Sequence, residues 1–276
     1  MRAYTVDLTK EYSFLEAGNL QCILADFPFD VETPTWKRPA VIVVPGGGYG
    51  MTSKREGEPI AHAFLAQGFQ TFILWYSVAP DAVYPTQLLQ LAAAVDYVKK
   101  HAEEMNVNPE EVFVVGFSAG GHLAGNLAVE HQDVSQKAGV ALNCKPTAVG
   151  LSYPVISQIN GHQGSYINLL MGYTEEAKTE LMKTLCLDEV VSKDTPPAFI
   201  WTTADDAVVP ACNALRYALA LARNGIEYEL HVYPRGPHGL STCSAEINIP
   251  APQNQRMKRW VDDCAVFFRL YTKEQV

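Results

Sequence analysis

Gly116-Phe117-Ser118-Ala119-Gly120 constrains this 276-residue chain more than any other stretch. Val112-Phe113-Val114-Val115 before it is a short, β-branched apolar run that reads as a fully buried strand. Residues 121–129 after it, opening Gly121-His122-Leu123, read as a helix set tight against that strand. A glycine on each side of a serine at such a junction has a steric reason. Strand and helix can close on each other only where no Cβ intervenes, and the serine between them is forced into a strained turn. That turn lifts the Ser118 hydroxyl clear of the sheet and aims the next backbone N–H groups toward it, the arrangement of a nucleophile elbow.

The remaining pattern agrees with a strand–helix alternation. Residues 4–8 and 20–26 are weak strands, expected as an antiparallel edge. Ala40-Val41-Ile42-Val43-Val44 is the first strong strand and runs into Pro45-Gly46-Gly47-Gly48-Tyr49-Gly50. A helix over 58–67 closes at Gly68, and residues 69–76 form the next buried strand. A long amphipathic helix over 85–104 carries Leu88, Leu91, Ala92, Val95 and Val98 on one stripe. Beyond the serine, strands are expected at 148–153, 197–203 and 227–233, with helices at 211–223 and 252–271. Strands alternating with helices imply a mostly parallel sheet covered on both faces, built as a single domain over 1–276. Residues 155–194 fit the rhythm worst, with a helical stretch at 175–185. They read either as a small cap over the site or as an ordinary connection.

Composition narrows the class of function. A net charge of −9, with no basic run, argues against nucleic acid as a partner. No stretch approaches the roughly 18 apolar residues of a membrane span. Cys22, Cys144, Cys186, Cys212, Cys243 and Cys264 are scattered and form no CxxC pair, so neither disulfides nor a zinc site is expected. With no apolar leader segment at the N-terminus, the expected location is the cytoplasm.

A serine hydroxyl is a poor nucleophile at neutral pH and needs a base, which in turn needs an orienting carboxylate. In the chain order Ser…Asp…His both belong in loops after later strands. Pro234-Arg235-Gly236-Pro237-His238-Gly239 follows the last strand, and its flexible flanks let His238 reach the serine. His122, His62, His101 and His131 fall on helices and His231 inside a strand, while His162, in the 155–194 segment, is the runner-up. Asp205 and Asp206 both follow the penultimate strand. Asp206 is preferred as the orienting acid, and Asp205 is expected to cap loop backbone. The oxyanion of acyl transfer needs N–H donors. Ala119 supplies one, and the glycines after the first strong strand can supply the others. Those glycines match neither a dinucleotide fingerprint nor a P-loop.

Taken in order, these parts resemble the α/β-hydrolase superfamily over nearly the whole chain. In detail, Pro45-Gly46-Gly47-Gly48-Tyr49, Gly116-Phe117-Ser118-Ala119-Gly120-Gly121-His122, Thr203-Ala204-Asp205-Asp206 with Val209-Pro210, and Pro237-His238-Gly239 resemble a bacterial subgroup of acetyl and acetyl-xylan esterases. The subgroup places its acid four residues before the proline, which lands on Asp206. It also implies Gly47 and Gly48 with Ala119 as the oxyanion donors. Proline stands before the glycines where hormone-sensitive-lipase-like esterases have histidine.

The resemblance implies hydrolysis of short acyl esters, with acetyl on a carbohydrate or other small alcohol as the first choice, and no metal or organic cofactor. The expected partner is a small-molecule ester such as an acetylated oligosaccharide. A homodimer is admitted, and a membrane is not expected. Amide or formamide hydrolysis, exopeptidase action and non-catalytic ligand binding are the alternatives on the same scaffold. Tyr49, Trp75, Tyr76 and Tyr153, near strand ends, read either as a wall for acyl or sugar groups or as packing.

Overall fold

In a computed structural model that describes residues 1–26 and 36–273, the backbone is organised by one eight-stranded sheet. Its elements are β1 (Arg2–Asp7), β2 (Asn19–Leu24), β3 (Arg38–Val44), α1 (Glu58–Ala66), β4 (Gln70–Trp75), α2 (Thr86–Lys100), β5 (Val107–Phe117) and α3 (Ala119–Glu130). They continue with α4 (Val134–Ala138), β6 (Val149–Ser152), α5 (Gln163–Leu169), α6 (Glu175–Leu185) and α7 (Leu187–Val190). The last are β7 (Ala198–Thr203), α8 (Cys212–Arg223), β8 (Tyr228–Tyr233), α9 (Pro252–Met257) and α10 (Trp260–Arg269).

The strand order is β1-β2-β4-β3-β5-β6-β7-β8. The six strands from β4 to β8 run parallel, and β2 and β1 add an antiparallel edge, as the sequence pattern leads one to expect. Parallel strands buried on both faces explain the uninterrupted apolar runs. Along β3, Ala40, Ile42 and Val44 face one core with α2 and α3, whereas Val41 and Val43 face the other with α1 and α10. The second core is the aromatic one. Phe113 stacks on Phe268 at 4.4 Å and Trp201 on Trp260 at 5.4 Å. Each such side chain, fully withdrawn from water, contributes about 2–3 kcal/mol before entropic costs.

Two expectations are corrected. The helix expected over 85–104 ends at Lys100, and a turn through Asn106 (φ 54°) leads into β5. The single helix expected over 252–271 is two, α9 and α10, broken at Lys258-Arg259. Immediately after that break, the Trp260 indole N–H donates to the Ser241 carbonyl at 2.9 Å. Among the described residues no helix is long and apolar enough to cross a membrane.

Residues 155–194 carry α5, α6 and α7. They are tied to the rim of the sheet: Asn168 Nδ2 donates to Gly48 O at 2.9 Å, and Tyr84 N donates to Leu169 O at 2.9 Å. The loops from the C-terminal ends of β3, β5, β7 and β8 therefore converge beneath this segment. In open parallel sheets that end is where ligands bind.

Candidate active site

Ser118 forms the turn between β5 and α3 with φ 53° and ψ −116°, a left-handed backbone that a residue with a Cβ rarely adopts. The flanking glycines are what permit it. A Cβ on Gly120 would lie 2.2 Å from Val44 O and 2.3 Å from Pro45 O, and one on Gly116 would lie 2.2 Å from Gly120 O. Any larger residue at either position would push the helix off the sheet. Ser118 is itself pinned, its N–H donating to Ser152 O at 3.0 Å and its carbonyl accepting from Val155 N at 3.1 Å.

The loop after β8 brings His238 onto this serine. His238 Nε2 lies 2.8 Å from Ser118 Oγ, and Nδ1 lies 2.7 Å from Asp206 Oδ2. A carboxylate can only accept, so Nδ1 carries the proton and Nε2 is left to accept the serine O–H. The acid is held in turn, since Asp206 Oδ1 accepts from the N–H groups of Val208 and Val209, each at 2.9 Å. Asp205 faces away from the imidazole and accepts from Gly236 N at 2.7 Å, tethering the His238 loop to the β7 loop. Of the two aspartates that compete in the sequence, Asp206 is thus the one set against His238, and Asp205 is set against loop backbone.

The glycine loop after β3 abuts the serine, because a Cβ on Gly46 would sit 3.0 Å from Ser118 Cβ. Its backbone is sharply folded. Gly47 (φ 129°) leaves no room for a side chain, whose Cβ would fall 2.1 Å from Met51 O. Among the described residues the amides of Gly47 and Gly48 meet no acceptor, whereas Gly46 N donates to Glu56 Oε2 at 2.9 Å. Ala119 begins α3, and the N–H groups of a helix's first turn are unpaired within the helix. The free N–H groups are therefore those of the residues singled out in the sequence, and the first glycine of the three is not among them.

The other histidines are engaged elsewhere. His162, the runner-up, caps α5 and pairs Nδ1 with Ser165 Oγ at 2.9 Å, and no acid orients it. Burial, and then the charge of His238, lower its pKa. His101 lies between Glu11 and Glu104, His231 meets Glu229, His131 meets the Ala128 carbonyl, and His62 is exposed on α1. His122 is wholly buried on α3, with Nε2 2.9 Å from Leu185 O and Nδ1 2.8 Å from Tyr49 Oη. A carbonyl cannot donate, so Nε2 carries the hydrogen and Nδ1 accepts from the phenol. Burial pushes the His122 pKa down to about 4, and the neutral ring is the form that fits.

The tyrosines are packing rather than an exposed wall. Tyr49, Tyr76 and Tyr153 are buried, and the Tyr76 hydroxyl donates to Pro45 O at 2.8 Å. Trp75 is partly buried and donates to Gln21 Oε1 at 2.9 Å. Two features beside the site carry no local sequence signal. Glu56 lies in a polar stretch, Ser53-Lys54-Arg55-Glu56, that reads as solvated, yet it is only 4% exposed. Tyr153 is set against His238 with ring centroids 4.9 Å apart, a contact between loops distant in sequence. Among the described residues no group of three or more His, Cys, Asp or Glu is placed to hold a metal ion.

Comparison with known proteins adds three findings. Residues 29–221 match the BD-FAE family model. The chain is 34% identical over 216 residues to endo-1,4-beta-xylanase B of Butyrivibrio fibrisolvens, a match covering 76% of this chain and 34% of that protein. It is 33% identical over 208 residues to the acetylxylan esterase of Xylanibacter ruminicola, covering 73% of this chain and 41% of the relative. This chain therefore spans well under half the length of either relative. Among solved structures, the acetyl ester-xyloside bifunctional hydrolase of Caldicellulosiruptor lactoaceticus superposes with a TM-score of 0.81 at 30% identity, covering 98% of this chain and 96% of that one.

Proposed function

This chain belongs to the BD-FAE family and has the α/β-hydrolase fold, and from that premise we propose that it is a serine esterase for short acyl esters, acetyl groups on a carbohydrate or other small alcohol first among them. The observation that carries the reading is the continuous hydrogen-bonded series from Ser118 Oγ through His238 to Asp206. Similarity to an acetylxylan esterase supports the choice of acyl group.

In this reading His238 Nε2 takes the Ser118 proton as Oγ attacks the ester carbon, and the carbonyl π electrons move onto oxygen. The resulting oxyanion is held by the N–H groups of Ala119 and of Gly47 or Gly48. Asp206 keeps Nδ1–H in place and stabilises the imidazolium without taking its proton. The tetrahedral species collapses, the C–O bond to the alcohol breaks, and His238 hands its proton to the leaving oxygen. His238 then takes one proton from water as the water oxygen attacks the acyl-serine, and returns it to Oγ as the acyl C–O bond breaks, releasing the carboxylic acid, which ionises in solvent. Every proton is accounted for by the imidazole, so this reading calls on no cofactor. We read residues 155–194, docked on Gly48 through Asn168, as the cap that shapes entry for the alcohol. Six free thiols accord with a cytoplasmic setting.

The test is the initial rate on p-nitrophenyl esters from acetate to octanoate, with Ser118→Ala alongside. The expected result is fastest hydrolysis of acetate, a steep fall with chain length and an inactive variant. Equal inertness of both proteins on every ester would sink the proposal.

A further inference from the structure

We propose that the buried carboxylate of Glu56 is a positioning residue that sets the oxyanion loop and the catalytic base together. This inference rests on the esterase reading above. Its two oxygens accept from opposite halves of the site. Oε2 takes the Gly46 N–H at 2.9 Å, and Oε1 takes the Tyr153 O–H at 2.7 Å.

On the oxyanion side the Gly46 peptide is clamped from both directions. Glu56 accepts its N–H, and its carbonyl accepts from Ser53 N at 2.9 Å. Spending the Gly46 amide in this way fixes the plane from which Gly47 and Gly48 turn, so their free N–H groups have a defined direction. On the base side the Tyr153 hydroxyl, while donating to Glu56, accepts from Ser241 N at 2.9 Å. The same tyrosine ring is the surface against which His238 rests at 4.9 Å. Tyr153 is held there at some conformational cost: it closes β6 with φ 37° and donates its N–H to Trp201 O.

The neighbour of Glu56 reinforces the bridge. Arg55 donates its guanidinium to Gly239 O at 3.0 Å and to Asn248 Oδ1 at 2.9 Å, and its carbonyl accepts from Ser241 Oγ. Residues 53–56 thus tie the loop after β3 to the loop after β8, although three strands separate β3 from β8 in the sheet. A carboxylate near a developing oxyanion is electrostatically unfavourable, and a core filled for stability alone would have no reason to bury one. What a carboxylate offers here is two acceptors in fixed relation, one for each half of the machinery. A glutamine keeps one acceptor, for the Gly46 N–H, but turns an N–H toward the Tyr153 hydroxyl, which already accepts from Ser241 N, so the phenol proton loses its acceptor and must turn away.

The test compares Glu56→Gln, Tyr153→Phe and the double variant with wild type on p-nitrophenyl acetate, with circular dichroism and thermal melting of each. Misplaced donors and base reduce transition-state stabilisation while ground-state binding is kept. Glu56→Gln is therefore expected to lose at least about tenfold in kcat with KM held within about threefold. Tyr153→Phe keeps the ring but not the bridge and is expected to lose at least about fivefold in kcat. The double variant should be no worse than about twofold below Glu56→Gln, because both substitutions cut one path.

A purely structural role predicts lower melting temperatures with kcat kept, and that outcome overturns the proposal. So do smaller losses in kcat, or effects that multiply in the double variant. Should Glu56→Gln fail to fold, Tyr153→Phe decides alone by the same thresholds. A wild type inert on every ester brings down the esterase reading and this inference together, whereas an active wild type with equally active variants brings down only this one.

Discussion

Two histidines flank the Ser118 turn, and both have their two ring nitrogens hydrogen-bonded, yet only one is equipped to move a proton. His238 joins a hydroxyl to a carboxylate, and its side chain is 15% exposed. His122 joins a phenol to a carbonyl at zero exposure. An imidazolium at His238 would have Asp206 beside it. At His122 a second ring proton would face the Tyr49 hydroxyl with no acid to balance the charge, and burial alone holds its pKa near 4. The difference lies in what stands behind each ring. In the proposed mechanism the same side chain serves as a base where a carboxylate backs it, and it stands as a neutral strut where only dipoles do.

The comparison breaks first, and by the widest margin, if the roles are reversed. His238→Ala is expected to reduce kcat by about 10⁴-fold or more with the fold retained by circular dichroism, in line with loss of a triad base. An activity loss of that size in His122→Phe, with His238→Ala near wild type, would exchange the two assignments. Next in size is the carboxylate behind the ring. Asp206→Asn is expected to cost about 10³- to 10⁴-fold in kcat, since an amide there favours the wrong tautomer. Asp205→Asn reaches the imidazole only through Gly236 and should cost about tenfold or less. Steady-state rates on the best ester separate the two, and an inverted order would transfer the acid's role to Asp205.

The first histidine was legible in the sequence and the second was not. His238 stands in a loop after the last strand, at the chain position that a Ser…Asp…His order requires, so spacing and flanking glycines suffice to find it. The same order calls for an acid after the penultimate strand but does not separate Asp205 from Asp206; the spacing of Asp206 to Pro210 is what favours it. His122 sits one turn along an apolar helix, and helical periodicity says only that it is buried. Its partners are Tyr49, in a loop 73 residues before it, and Leu185, the last residue of α6 and 63 residues after it, contacts that no local pattern encodes. Glu56 was hidden for a related reason. A glutamate between lysine, arginine and glycine reads as solvated, and only the fold of the β3 and β6 loops around it reveals the burial. The fold itself was plain because buried parallel strands write themselves as apolar runs. Element ends were less so, since Lys258-Arg259 interrupts a helix with residues that favour one.

The strut reading of His122 sharpens into two smaller effects. His122→Phe keeps an aromatic ring but leaves the Tyr49 hydroxyl without its acceptor and the Leu185 carbonyl with only the Tyr166 hydroxyl, at 3.5 Å. It is expected to cost about 2–4 kcal/mol in denaturant unfolding while kcat of the folded protein stays within about tenfold.

The last and smallest effect is a pH dependence of stability. With a folded pKa of about 4 against an ordinary value of 6.5, the unfolded chain binds the extra proton first as pH falls. Stability from the neutral ring is therefore fully present above pH 6.5 and is lost between pH 6.5 and about 4. The slope is at most about 1.4 kcal/mol per pH unit, for a total of about 3 kcal/mol. His131 and His162, whose pKa values are also lowered, add to the loss in the same direction, and His101, whose value is raised, opposes it. The contribution of His122 is thus the difference between wild-type and His122→Phe unfolding curves at each pH. That difference should shrink steadily as pH drops from 6.5 toward 4. A gap that stays constant over the window would mean that the ring is protonated alike in both states, and His122 would then be no neutral strut.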